Sequence, residues 1–94
     1  MTREEILDTA KKCVCGDRDK QYGPPENSFR LIARLWNAYL EDRVTIYLDA
    51  KDVAIMMCLF KIARMMTSVK DDNWIDLAGY AACGGEIEAY EIEH

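Results

Sequence analysis

Read for the spacing of its apolar positions, the chain resolves into four helical stretches. Ile6, Leu7, Ala10, Cys13 and Val14 recur at intervals of three and four, and Thr2-Arg-Glu-Glu5 ahead of them has the form of a capping box. A first helix is therefore predicted from that box to near Cys15, with Gly16 as its terminator. Phe29, Leu31, Ile32, Leu35, Trp36, Ala38, Tyr39 and Leu40 give the second stretch a wide apolar face opposite Arg30, Arg34 and Glu41. Pro25 suits its first turn, so this helix should run from about Pro25 to Glu41. The third stretch, Val53 to Phe60 and on through Met66, is apolar nearly all round, which is the pattern of a central helix packed on several sides. Asp49 is its natural N-cap, with Asp52 as the carboxylate that reaches back. The last helix starts at about Asp72, and its run from Ala78 to Gly85 is nearly free of bulk, which predicts a bend or a close crossing at Gly84-Gly85.

Two segments break the helical period. Asp17 to Pro25 is dense in charge and closes on Gly-Pro-Pro, so it reads as an ordered loop or short turn of the kind that carries binding residues. Val44 to Leu48 has the composition of a strand but no second strand to pair with, and reads as an extended connector. The fold class is all-α, a four-helix bundle in a single domain over residues 1–94.

Size sharpens this picture. A chain of 94 residues builds one modest core, and covering the central helix on every side calls for a homo-oligomer. No apolar run reaches the roughly 18 residues of a membrane span, and Met-Thr-Arg-Glu-Glu lacks the core of a signal peptide. The expected location is the cytoplasm, where Cys13, Cys15, Cys58 and Cys83 stay reduced. A net charge of −5, with Glu86, Glu88, Glu91 and Glu93 at one end, disfavours duplex nucleic acid as a partner.

The candidate chemistry is acidic. Asp49 and Asp52 share one helix face, as do Asp72 and Asp76 on the next helix; four such carboxylates from facing helices are the kind of set that holds Mg²⁺. Lys61 and Arg64, one turn apart, would hold the phosphates of a ligand such as a nucleotide. Against this stands a structural reading in which Asp49, Asp52 and Asp72 are first-turn acids favoured by capping and the helix dipole. Asp76 lies one turn further in, between Ile75 and Leu77, and needs a partner if partly buried, most simply Lys61 or Arg64. Trp36, Tyr39, Trp74 and Tyr80 could stack on a base, although aromatics at helical spacing belong more often to the core. Tyr22, in its charged Gly-Pro segment, is the exception.

Arg18-Asp19-Lys-Gln-Tyr22-Gly23-Pro-Pro-Glu26-Asn27-Ser-Phe29, Asp52-Val-Ala-x-Met-Met, Lys61-Ile-Ala-Arg64 and Asp72-x-Trp74-Ile-Asp76-Leu-Ala-Gly79-Tyr80 together resemble a family of small phage and prophage proteins that has no established activity. Arg18, Asp19 and Tyr22 of the charged segment, with Trp74, are further candidate binding residues. More distantly, Lys61-x-x-Arg64 followed by Asp76-Leu-Ala-Gly-Tyr80 is similar to the end of the all-α, MazG-like nucleoside triphosphate pyrophosphohydrolases. That similarity implies a Mg²⁺ site on Asp49, Asp52, Asp72 and Asp76, with Asn73 standing where the family pattern has an acid. Two functions follow as expectations: a nucleotide pyrophosphohydrolase of degenerate metal motif, or a non-catalytic oligomeric interaction protein whose acids are caps and salt bridges.

Overall fold

The computed structural model describes residues 1–16 and 20–94 in full, and residues 17–19 only as part of a helical path. The elements are α1 (Arg3–Lys12), a π-helical segment (Cys13–Asp17), α2 (Arg18–Tyr22), α3 (Pro25–Leu40), α4 (Ala50–Thr67) and α5 (Asp71–Glu93). Because the π segment joins α1 to α2 without a break, the chain makes four helical stretches, and no strand occurs among the described residues. The first stretch corrects one expectation: the helix neither ends near Cys15 nor gives way to a loop, but continues through Gly16 to Tyr22. It stops at Gly23, whose φ of 75° is a conformation that glycine reaches at little cost. Pro24 and Pro25 then start α3 at once.

The caps follow from local chemistry. Thr2 accepts a hydrogen bond from the Glu5 N–H at 3.2 Å, while the Thr2 hydroxyl donates to the Glu5 carboxylate instead of leaving it to reach back. At α4 the box is complete: the Asp52 N–H donates to Asp49 Oδ1 at 2.8 Å and the Asp49 N–H donates to Asp52 Oδ2 at 3.1 Å. Replacing Asp49 by Ala should cost about 1 kcal/mol, read as a lower denaturant midpoint with an unchanged slope; an unchanged midpoint would show that the box does not hold the helix end.

Helices α4 and α5 form an antiparallel pair, since Lys51 meets Glu88 at one end and Lys61 meets Asp76 towards the other. Small residues set their spacing. A Cβ on Gly84 would stand 3.2 Å from the Ala54 Cβ, so the close crossing expected near Gly84-Gly85 is present, and α5 runs on through it to Glu93. Helix α3 packs on both, and the first stretch lies against α5. Val53 and Ile87 are fully buried at the centre, joined by Phe29, Ala33, Ala50, Ala54 and Tyr80.

The connector from α3 to α4 is held at both ends. The Val44 N–H donates to the Leu40 carbonyl at 3.0 Å, and the Asn37 amide clamps Leu48, accepting from its N–H at 2.8 Å and donating to its carbonyl at 2.9 Å. Nothing in the apolar spacing singles out Asn37 for this task.

Within one chain, helix α4 is not covered on every side. Its inner face is covered by α3 and α5, but Ile55, Leu59, Ile62 and Met66 on the opposite face are 49, 58, 44 and 82% exposed. The helix is central in sequence and on one side bare in the single chain.

Candidate functional site

The residues singled out for chemistry fall into three places. Asp49 and Asp52 sit at the start of α4 and spend their carboxylates on each other's backbone. Asp76 pairs with Lys61 at 2.6 Å, with the two side chains 31 and 15% exposed, which is the structural partnership expected for an acid between two apolar neighbours. Asp72 is exposed in the first turn of α5, beside an Asp71 that pairs with the N-terminal ammonium at 3.8 Å. Lys61, the partner of Asp76, is nine residues beyond Asp52, so its backbone stands about 13 Å further along the α4 axis than the capping box.

These four carboxylates therefore do not fit one Mg²⁺ ion, and among the described residues no three His, Cys, Asp or Glu side chains are placed to share a metal. The phosphate candidates are engaged as well: Lys61 by Asp76, and Arg64 over the Phe60 ring at 4.7 Å. Lys51, exposed, donates to Glu88 at 3.1 Å, and that hydrogen bond together with the carboxylate's charge raises its pKa. Burial raises the Cys58 thiol, and all four cysteines are free.

Asn73, the departure from the acidic motif, is buried at 6% exposure and donates to Ser68 Oγ at 3.3 Å. It ties the start of α5 to the end of α4 across the three-residue link. An amide serves that position well because it donates to a hydroxyl without bringing a charge into the core.

A groove of about 460 Å³ opens between the first stretch, α3 and α5. Val14 from the π segment, Tyr22 and Phe29 form one side, and Ile75, Asp76 and Tyr80 the other. The Tyr80 ring is buried 6.4 Å from that of Phe29. Tyr22, the exception among the aromatics, is exposed and lines this groove from the end of α2. Of the four helix aromatics, Tyr80 lies in the core and Trp36 packs on it, whereas Tyr39 and Trp74 are exposed. Arg18 and Asp19, also named from sequence, lie outside the residues whose side chains are described. No helix among the described residues is long and apolar enough to cross a membrane.

Comparison with known proteins now places the chain. It is 40% identical over 91 residues to the Gene 55 protein of Mycobacterium phage D29, a match covering 96% of this chain and 58% of that protein. It is likewise 40% identical over 89 residues to the Gene 55 protein of Mycobacterium phage L5, covering 94% and 55%. The chain thus spans little more than half the length of these phage relatives. No solved structure matches it. These matches do not support the more distant similarity to MazG-like enzymes. The match to a domain of unknown function, DUF6378, over residues 5–88 takes in nearly the whole bundle, and with the two phage proteins it shows that the chain belongs to this phage protein family.

Proposed function

We propose that this chain is a non-catalytic interaction protein that works as a homo-oligomer in the cytoplasm of the infected host, its acids serving as helix caps and as a clamp between α4 and α5. The observation that carries this reading is the polarity of α4. On the face turned away from α3 and α5, Ile55, Leu59, Ile62 and Met66 recur at intervals of four, three and four, the seam of a helix made to meet another helix. The inward face of the same helix is already filled, by Ala50, Val53 and Ala54 and by Lys61 paired with Asp76. A helix that is apolar on its covered face and again on its bare one is built for a partner.

The surface area agrees. A folded monomer of 10.8 kDa exposes about 5,500 Å², but this chain exposes 6965 Å², an excess of about 1,400 Å². Buried in a dimer, that excess from both copies is about 2,800 Å², within the range of obligate homodimers. The radius of gyration, 14.2 Å, likewise exceeds the roughly 12.4 Å of a compact domain of this length. The alternative of a Mg²⁺-dependent triphosphate hydrolase draws no support from carboxylates divided between a capping box, a salt bridge and the exposed Asp72.

Light scattering coupled to gel filtration tests the reading directly. At micromolar concentration the mass should be an integral multiple of 10.8 kDa, two or greater. A monomeric mass would overturn it.

A further inference from the structure

We propose that the groove between the first stretch, α3 and α5 binds a small organic cation with a flat apolar body, of the arylamidine class, its positive end on Asp76 and its ring among Tyr22, Phe29 and Tyr80. Among the described residues none of α4 lines this groove, so the site stands apart from the α4 seam and does not depend on self-association.

The shape is that of a small-molecule site. Its volume of about 460 Å³ falls within the range of about 300 to 1,000 Å³ found for small ligands. Phe29 and Tyr80, both buried, make an aromatic floor with their rings tilted at 50°. Ala10 and Gly79 are too small to fill the space above it. The walls are drawn together where a Cβ on Gly79 would stand only 3.0 Å from Val14 Cγ1. A recessed aromatic floor takes up a flat ring, and the faces of Phe and Tyr also attract a positive charge.

Charge selects the sign of the ligand. Among the described residues that line the groove, Asp76 is the only one with a formal charge. Its Oδ2 is met by Lys61 from α4, and among the described residues no hydrogen bond or ion pair takes its Oδ1. Lys61 offsets the charge of Asp76, and Glu26 then leaves the neighbourhood negative. Glu26 stands in sequence between Pro25 and Ser28, two residues of the groove, and its Oε2 is buried without a hydrogen-bond partner. No ion pair among the described residues involves it. A carboxylate oxygen out of water projects its field further than one in solvent. An amidinium supplies what this arrangement lacks, N–H donors and a positive charge for Asp76 on a ring that fits the floor. A carboxylate ligand would meet like charge, and a neutral ring would gain the apolar contact alone.

Benzamidine, with benzamide as its neutral analogue and benzoate as the anion, tests the assignment on the full chain. In proton–nitrogen correlation spectra, millimolar benzamidine should shift the backbone amides of Tyr22, Gly23 and Gly79 saturably. It should bind about tenfold or more tightly than benzamide, with benzoate weaker still. Replacing the ion pair by neutral side chains, Asp76→Asn together with Lys61→Met, should reduce that preference by about threefold or more. Equal affinity of wild type for benzamidine and benzamide would overturn the cationic class, and an absence of shifts at these amides would overturn the site itself. An unchanged preference in the double variant would remove Asp76 as the group that meets the cation. Should that variant fail to fold, the comparison of the three ligands on wild type decides alone.

Discussion

Leu59→Glu is expected to run as a smaller species than wild type, with its helical circular dichroism intact. Leu59 is more than half exposed in the single chain, so a carboxylate there has water around it and the fold has little to lose. In an assembly that buries the α4 face, each two-fold contact instead traps two carboxylates between Ile55 and Ile62 with no cation to meet them. Burying an unpaired charge costs several kcal/mol before the group protonates. The dissociation constant should rise by about 100-fold or more, the equivalent of about 2.7 kcal/mol. Sedimentation velocity over a concentration series reads both the mass and the midpoint. An unchanged midpoint would remove α4 from the interface and with it the main support for an interaction protein.

Asp76→Asn should lower stability clearly, in metal-free buffer and equally with millimolar Mn²⁺ present. The substitution leaves the Lys61 ammonium, 15% exposed, without its carboxylate at 2.6 Å. Removing one partner of a fully buried pair costs about 3 to 5 kcal/mol; with Asp76 itself 31% exposed, water offsets part of this, and a loss of about 2 kcal/mol is expected. In a domain of this size that is a fall in Tm of roughly 8 to 16 °C. Lys61→Met in the same chain should recover part of it, because no buried charge is then left over. Were Asp76 chiefly a metal ligand, the single substitution would instead be neutral without metal and would abolish a Mn²⁺-dependent rise in Tm.

Local chemistry was the legible part. The box of Asp49 and Asp52 and the start of α3 at Pro25 depend on residues within one turn of each other, and they stand where the spacing put them. The partner of Asp76 was legible for a related reason: an acid between Ile75 and Leu77 has few places to find a charge, and Lys61 is the nearer of the two candidates on the facing helix. Whether Asp52 and Asp76 meet was another matter. It depends on the register of α4 against α5, which Gly84 on Ala54 and the two salt bridges determine, and no single helix carries that information. Which face of α4 stays bare in the single chain was hidden for a deeper reason. Apolar periodicity shows that a face must be covered but does not say by which chain, so Leu59 and Val53 look alike in sequence although one is open and the other fully buried.

The π segment bears on which changes of length this chain tolerates. A regular helix turns 100° per residue, and a π turn accommodates one residue more than an α turn does, so everything after Cys13–Asp17 is rotated by about that angle relative to an uninterrupted helix. Tyr22, which lines the groove, follows that rotation. The segment therefore acts as a frame shift written into the backbone. Removing one residue from it would restore a smooth helix and yet turn Tyr22 away from Phe29 and Tyr80, whereas exchanging one residue for another there keeps the frame.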